Sequence, residues 1–243
     1  MRGVTEPVVH LRVWHVPSSR IPSALGRMGV HRLQLRRVPG LSFAKLLGTG
    51  SGDSFTLGDA DLHHWALLTV FADEAAAARF AGGSILRSWR RTADEGLDLR
   101  LRPLISRGRW AGQEPFITDE SPARWDGPVA AITRARIRPQ QWRTFWSSVP
   151  PVAEDLRSRT GVLLTLGIGE APVGLQGTFS VWESNRALTE FAQRGAVHRA
   201  VIADTERLGW YSEELFARFA VVAASGTFNG RPIPAGPAAI TAS

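Results

Sequence analysis

Six histidines, two methionines and a single tyrosine are the side chains with which this chain could ligate a haem iron, because it contains no cysteine. That absence removes disulfides, zinc–thiolate sites, iron–sulfur clusters, attached c-type haem and thiolate-ligated haem. Of the histidines, His198 has the most distinctive setting. It lies in Gly195-Ala196-Val197-His198-Arg199-Ala200-Val201-Ile202, with small or apolar helical neighbours and Arg194 one turn back. An imidazole on a packed helical face suits a proximal haem ligand, which needs a dry wall, a fixed tautomer and room for a flat macrocycle. A buried structural histidine fits the same pattern. The remaining histidines do not converge. His63 and His64 adjoin on a strand and point to opposite faces, His10 and His15 are an odd interval apart, and His31 stands alone. No HxH or HxxxH pair occurs, so a non-haem metal site has little support.

Other chemistry is weaker still. Gly48-Thr49-Gly50-Ser51-Gly52 resembles a phosphate cradle but lacks the Lys-Ser/Thr of a P-loop, and a strand rather than a helix is expected after it. It reads as a glycine turn. No GxSxG elbow is present for a serine hydrolase. Nine tryptophans are compatible with a long apolar substrate, and Trp110 and Trp125 are placed to seal a pocket; core packing explains each of the nine equally well.

The elements that would carry these residues come in two weakly similar sets. Leu47-Gly48-Thr49-Gly50 reappears as Leu166-Gly167-Ile168-Gly169, and Thr69-Val70-Phe71 with Phe80-Ala81 as Ser180-Val181-Trp182 with Phe191-Ala192. In that register Arg87 is the counterpart of His198, so one copy alone carries the candidate ligand. Alternation and turn signals give strands at 8–16, 41–47, 65–71 and 97–105, a helix at 18–37, and a helix capped by Asp73 and running to about Trp89. The second set has strands at 129–137, 162–168, 177–182 and 214–223, helices beginning at Gln140 and after the cap Ser184, and a helical stretch from Ala196 to about Leu208. The expected fold is α+β: two tandem ferredoxin-like βαββαβ modules forming a barrel of the dimeric α/β-barrel type. The boundaries are 1–107 for the first module, 108–127 for a connector, 128–224 for the second module and 225–243 for a tail rich in Gly, Pro and Ala, expected to be poorly ordered.

At 243 residues with 44% hydrophobic content, the chain has the composition of a globular protein with a sizeable core. No apolar run approaches the length of a membrane span, and no signal-peptide pattern opens the chain, so a cytoplasmic protein is expected. The net charge of +7 is almost wholly arginine, with Lys45 the one lysine. The arginines are dispersed and often lie beside acids. Nucleic-acid binding is therefore not expected.

Several longer stretches resemble a known family. Arg107-Gly108-Arg109-Trp110-Ala111-Gly112 with Pro115-Phe116, Gly127-Pro128-Val129-Ala130-Ala131-Ile132-Thr133-Arg134-Ala135 with Ile137-Arg138-Pro139 and Phe145-Trp146, Gly167-Ile168-Gly169-Glu170, and Gly209-Trp210-Tyr211-Ser212-Glu213-Glu214-Leu215-Phe216 are similar to the spheroidene monooxygenases, the acyclic carotenoid 2-ketolases. The resemblance runs from about Val9 to Gly230. It implies haem b as cofactor, a barrel related to the dimeric α/β-barrel haem proteins, and a proximal histidine from the second module. On its spacing before Trp210 that ligand corresponds to His198, with Arg199, Arg194 and Trp210 around the cofactor. It also implies a small hydrophobic substrate, an electron donor such as ferredoxin, a homodimer and peripheral membrane contact. Ala196-Val197 departs from the family pattern just before His198, as does 53–61, which puts substrate identity in doubt. Another haem enzyme on the same barrel, aldoxime-dehydratase-like or peroxidase-like, and a non-catalytic haem- or ligand-binding barrel are the alternatives.

Overall fold

The computed structural model of the chain describes residues 7–50, 60–118, 125–137, 161–170, 177–194 and 211–236. The first half begins with β1 (Val8–His15), a turn of 3-10 helix at Ser18–Arg20 and α1 (Ile21–Leu35). β2 (Leu41–Gly50), β3 (Ala60–Phe71), α2 (Glu74–Ala81), α3 (Ser84–Thr92) and β4 (Glu95–Gly108) complete it. The second half contributes β5 (Val129–Ile137), β6 (Val162–Gly169), β7 (Gly177–Trp182), α4 (Asn185–Arg194), β8 (Tyr211–Phe228) and the two-residue β9 (Arg231–Pro232).

All the principal strands join one antiparallel sheet in the order β4-β1-β3-β2-β6-β7-β5-β8, and a further β4–β8 pairing closes it into an eight-stranded barrel. Each half supplies four neighbouring strands in the same relative order. The halves meet at two seams. One is β4–β8, from Leu97↔Gly226 to Gly108↔Leu215. The other is short, with Gly48↔Gly169, Thr49↔Ile168 and Gly50↔Gly167. The repeated glycine motifs therefore pair with each other. Gly48 and Gly50 are strand residues rather than a turn, because a residue without a side chain allows close backbone approach where two twisted sheets meet.

Alternation along the strands gives the barrel an inside and an outside. Val9, Leu11 and Val13, their counterparts on the other strands, and Trp110 and Phe116 from the connector fill the interior. Outside the first half, α1, α2 and α3 lie on a second apolar layer built around Trp14, Trp65 and Trp89. Trp14 and Trp89 stack there with centroids 4.9 Å apart and planes 8° from parallel.

The helix expected from Asp73 to Trp89 is two helices. The Asp73 carboxylate accepts from the Ala76 N–H at 2.7 Å, but Gly82 and Gly83 end α2 before α3 restarts at Ser84. The strand expected to end at Ala223 continues to Phe228. Of its added residues, Ala224 to Gly226 pair with β4 and Thr227 and Phe228 with β9; the Thr227 hydroxyl and the backbone of Asn229 and Gly230 donate to Glu95. The helices expected from Gln140 and from Ala196 lie outside the described residues. No described helix is long and apolar enough to cross a membrane.

Gly226 has φ +81, and an added Cβ would run into the Gly96 carbonyl across the longer seam, whereas Gly230 (φ +73) faces open space. Gly226→Ala is expected to destabilise the fold by about 2–3 kcal/mol, and Gly230→Ala by about 1 kcal/mol. Urea unfolding midpoints at equal m-value check the difference; equal losses would mean that the seam tolerates displacement.

Candidate functional site

The closed barrel leaves its ends and its outer faces available for chemistry. One end is shut by an ionic network. Arg134 on β5 points inward, its side chain 1% exposed, and donates to Glu213 at 2.6 Å and to Glu170 at 3.1 Å. Lys45 reaches the other Glu170 oxygen at 2.7 Å, and the Trp110 indole N–H donates to Glu170 at 2.7 Å. The backbone N–H groups of Ala111 and Gly112 donate to Glu213. The Arg134 guanidinium also lies 5.2 Å from the Trp110 ring centroid. Burial alone would raise the Glu170 carboxyl, but bonds from Lys45 and Trp110 and the charges of Lys45 and Arg134 hold it below the usual carboxylate range. Glu213 is lowered likewise: Gly112, Ala111 and Arg134 outweigh its burial. This network anchors the connector to the barrel end, beside an interior packed with side chains.

The outer faces of the two halves differ. Val8↔Phe71 and Val129↔Trp182 are equivalent pairs, so His10, Arg12 and Trp14 on β1 correspond to Ala131, Thr133 and Ala135 on β5. In the first half this space is occupied: Asp98 bonds both His10 and Arg12 at 2.7 Å, and Trp14 stacks on Trp89. In the second half the same positions are small. Register sets Arg218, Ala131, Ser180 and Thr165 in one cross-strand row, and Phe216, Thr133, Thr178 and Gly167 in the next. Two buried polar atoms without partners lie on the first row, the Arg218 Nε and the Thr165 hydroxyl. Arg218 donates to Asn185 at 2.6 Å, and burial pulls its guanidinium below the usual value. A floor of small residues flanked by an incompletely bonded arginine can accept a flat group with an anionic arm.

Alternation along β5 sends successive side chains to opposite faces of the sheet. Arg134 faces the barrel interior, while Thr133 lies on the outer face with Thr178 and Ser180. Of the proposed haem residues, His198, Arg199 and Trp210 lie outside the described residues. Arg194 is placed by its backbone as the last residue of α4. His15, expected to stand apart from His63 and His64, has its ring 5.6 and 5.0 Å from theirs. Their Nδ1 atoms are held by Asp94, the Val16 carbonyl and Asp61. Among the described residues no group of three His, Asp or Glu side chains is arranged to hold a metal ion. The roles of Glu170, Glu213 and Arg218 escaped sequence reasoning, although all three lie in or beside the longest motifs.

No family model matches the sequence. The spheroidene monooxygenase of Rhodobacter capsulatus is 35% identical over 231 residues, covering 93% of this chain and 94% of that protein. That of Rubrivivax gelatinosus is 42% identical over 194 residues, covering 79% and 73%. The chain belongs to the spheroidene monooxygenase family. Membership places it among the monooxygenases, a class of oxidoreductase. Among solved structures, an aldoxime dehydratase matches with a TM-score of 0.54 at 13% identity, over 93% of this chain and 83% of its own. A second, co-crystallised with butyraldoxime, gives 0.53 at 11%, over 92% and 80%. At these identities the likeness is one of fold, a mixed α+β barrel.

In this family member, replacing Arg134 by Leu strands two carboxylates in the barrel end. A loss of about 3–5 kcal/mol is expected in chemical denaturation, with Arg134→Leu combined with Glu170→Gln and Glu213→Gln recovering part of it. Both carboxyls are depressed in the folded state, so their contribution is fully present above the unfolded value near 4.5 and is lost as pH falls through the folded values. The melting temperature of the native chain is expected to fall below about pH 4.5, and Glu170→Gln/Glu213→Gln to fall less steeply. Parallel acid slopes would remove these two groups from the acid transition.

Proposed function

We propose that this chain is a haem-dependent monooxygenase of the spheroidene type, inserting oxygen into a hydrophobic substrate such as an acyclic carotenoid. Family membership supports the reaction class. The observation that carries the cofactor is the outer face of the second half-sheet, where Ala131, Thr133 and Ala135 stand at positions that His10, Arg12 and Trp14 fill in the other half, beside the unpartnered Arg218 Nε. On this reading the chain is two ferredoxin-like modules, with the haem between the sheet and helices of the second. His198 would hold it, with Arg194, Arg199 and Trp210 as the further candidates for binding it.

The haem would supply dioxygen activation. The chain's own residues provide the setting: Thr133, Thr178 and Ser180 present hydroxyls toward the cofactor side, and Arg218 is placed to pair with a propionate. A monooxygenase puts one atom of dioxygen into a C–H bond and reduces the other to water with two electrons and two protons. An electron donor such as a ferredoxin is therefore part of the proposal, as is a homodimer. Neutral histidine gives less electronic push than thiolate, so proton delivery from a polar group on this face matters more.

The test is the absorption spectrum of protein produced with haem precursor. Wild type is expected to show a Soret band, His198→Ala to lose or shift it, and Arg218→Leu to retain the fold while releasing haem about tenfold more readily. Turnover of an acyclic carotenoid with a reducing system then separates the monooxygenase from an aldoxime-dehydratase-like or peroxidase-like catalyst. Absence of a Soret band after haem titration would overturn the cofactor assignment.

A further inference from the structure

Dispersed arginines conceal one uneven stretch. Between Glu6 and Asp53 the chain carries Arg12, Arg20, Arg27, Arg32, Arg36, Arg37 and Lys45 and no acid. Most of these cations lie on or beside α1. That helix buries Ala24, Met28, His31 and Leu35 against the sheet. By the 3.6-residue period, its opposite side is Pro22, Leu25, Gly26, Gly29, Val30 and Leu33. It is apolar and uncovered, with Leu25 40%, Val30 55% and Leu33 63% exposed. These are three of the five exposed large hydrophobic residues identified in the described chain. Gly26 and Gly29 have no heavy atom within 4 Å of where a Cβ would sit, so packing inside the chain does not demand glycine there.

We infer that α1 is the surface by which this protein docks on an anionic lipid bilayer. An apolar ridge flanked by arginines and free of acids is the pattern of a helix lying in a membrane interface, with apolar side chains among the acyl chains and cations at the phosphates. Arg36 and Arg37 are exposed and have no ion pair with any described residue, so their charge is available. Beside them, α1, β2 and the connector border a cleft of about 720 Å³ lined by Arg32, Arg36, Leu35, Leu41 and Phe43, whose one acid, Glu170, is already paired with Lys45. Two arginines beside apolar side chains match a phospholipid, anionic at one end and apolar at the other. A second copy of α1 would bring like charges together without any acid from the helix to offset them.

The test uses the full chain and vesicle flotation, read whether or not haem is bound, so its outcome is separate from the cofactor assignment. Wild type is expected to float with phosphatidylcholine vesicles containing roughly 30% phosphatidylglycerol, weakly with phosphatidylcholine alone, and less at high salt. Val30→Glu/Leu33→Glu should reduce binding at least tenfold with an unchanged circular dichroism spectrum and melting temperature. Arg36→Gln/Arg37→Gln should reduce it by roughly tenfold or more, at about fivefold per charge, whereas Arg186→Gln on α4, a side chain 88% exposed, should not. Equal flotation of wild type and Val30→Glu/Leu33→Glu would overturn the inference. So would wild-type protein that fails to float while the same double variant turns a dimer into a monomer in sedimentation velocity, which would assign the ridge to a second copy.

Discussion

The two halves of this barrel hold each other closed through antiparallel seams, and what the molecule can do follows from that closure. β2 and β6 meet over three residue pairs centred on Thr49↔Ile168, and β4 runs along β8 from Leu97 to Gly108. Among the described residues the β4–β8 edge is paired along most of its length, whereas β2 and β6 pair over three residues only. An eight-stranded barrel also has an interior just wide enough to be filled by side chains, and this one is filled from every strand. A second apolar layer lies between the sheet and the helices of the first half.

On the outer face of the sheet the two halves differ. The first half packs Trp14, Trp65 and Trp89 between sheet and helices, and ties the neighbouring strands with Asp98, His10 and Arg12. A buried aromatic side chain of this size removes about 150–250 Å² from water, a gross stabilisation of roughly 4–6 kcal/mol each by area. The second half places Ala131, Thr133 and Ala135 where His10, Arg12 and Trp14 stand, and forgoes the gain of one such ring there. A scaffold already stabilised on one side can tolerate a face of small residues and orphaned polar atoms on the other, as a binding surface requires.

The local half of this organisation was legible in the sequence. Alternation and apolar runs marked the eight principal strands, Asp73 and Ser184 announced their caps, and the Gly-x-Gly motif stood out in both halves. What the motif does was not legible, because a turn and a seam both favour glycine, and only the long-range pairing Gly48↔Gly169 distinguishes them. The same limit hid the end of β8, where Ala224 to Gly226 pair with β4 and Thr227 and Phe228 with β9. It hid Glu170 and Glu213 as partners of Arg134, since ion pairs formed across the barrel leave no periodic trace. For the candidate site, alternation separated Thr133 from Arg134 but could not say which side was the interior. That choice is made by closure. His198 stood out by residue type and family spacing, and lies outside the described residues.

The buried network at the barrel end is best understood as a positioning device. Exchanging hydration for ion pairs gives little net stability when the groups are buried, because desolvation offsets most of the Coulomb gain. What such a network does supply is a unique geometry, since each displacement leaves a charge unpaired. Here Lys45 comes from the first half, Arg134, Glu170 and Glu213 come from the second, and Trp110 with the Ala111 and Gly112 amides comes from the connector. All three parts of the chain must be in register for the charges to be satisfied at once. An apolar plug could slide along the barrel wall; this one cannot. The network thereby fixes where Trp110 and Phe116 enter the barrel.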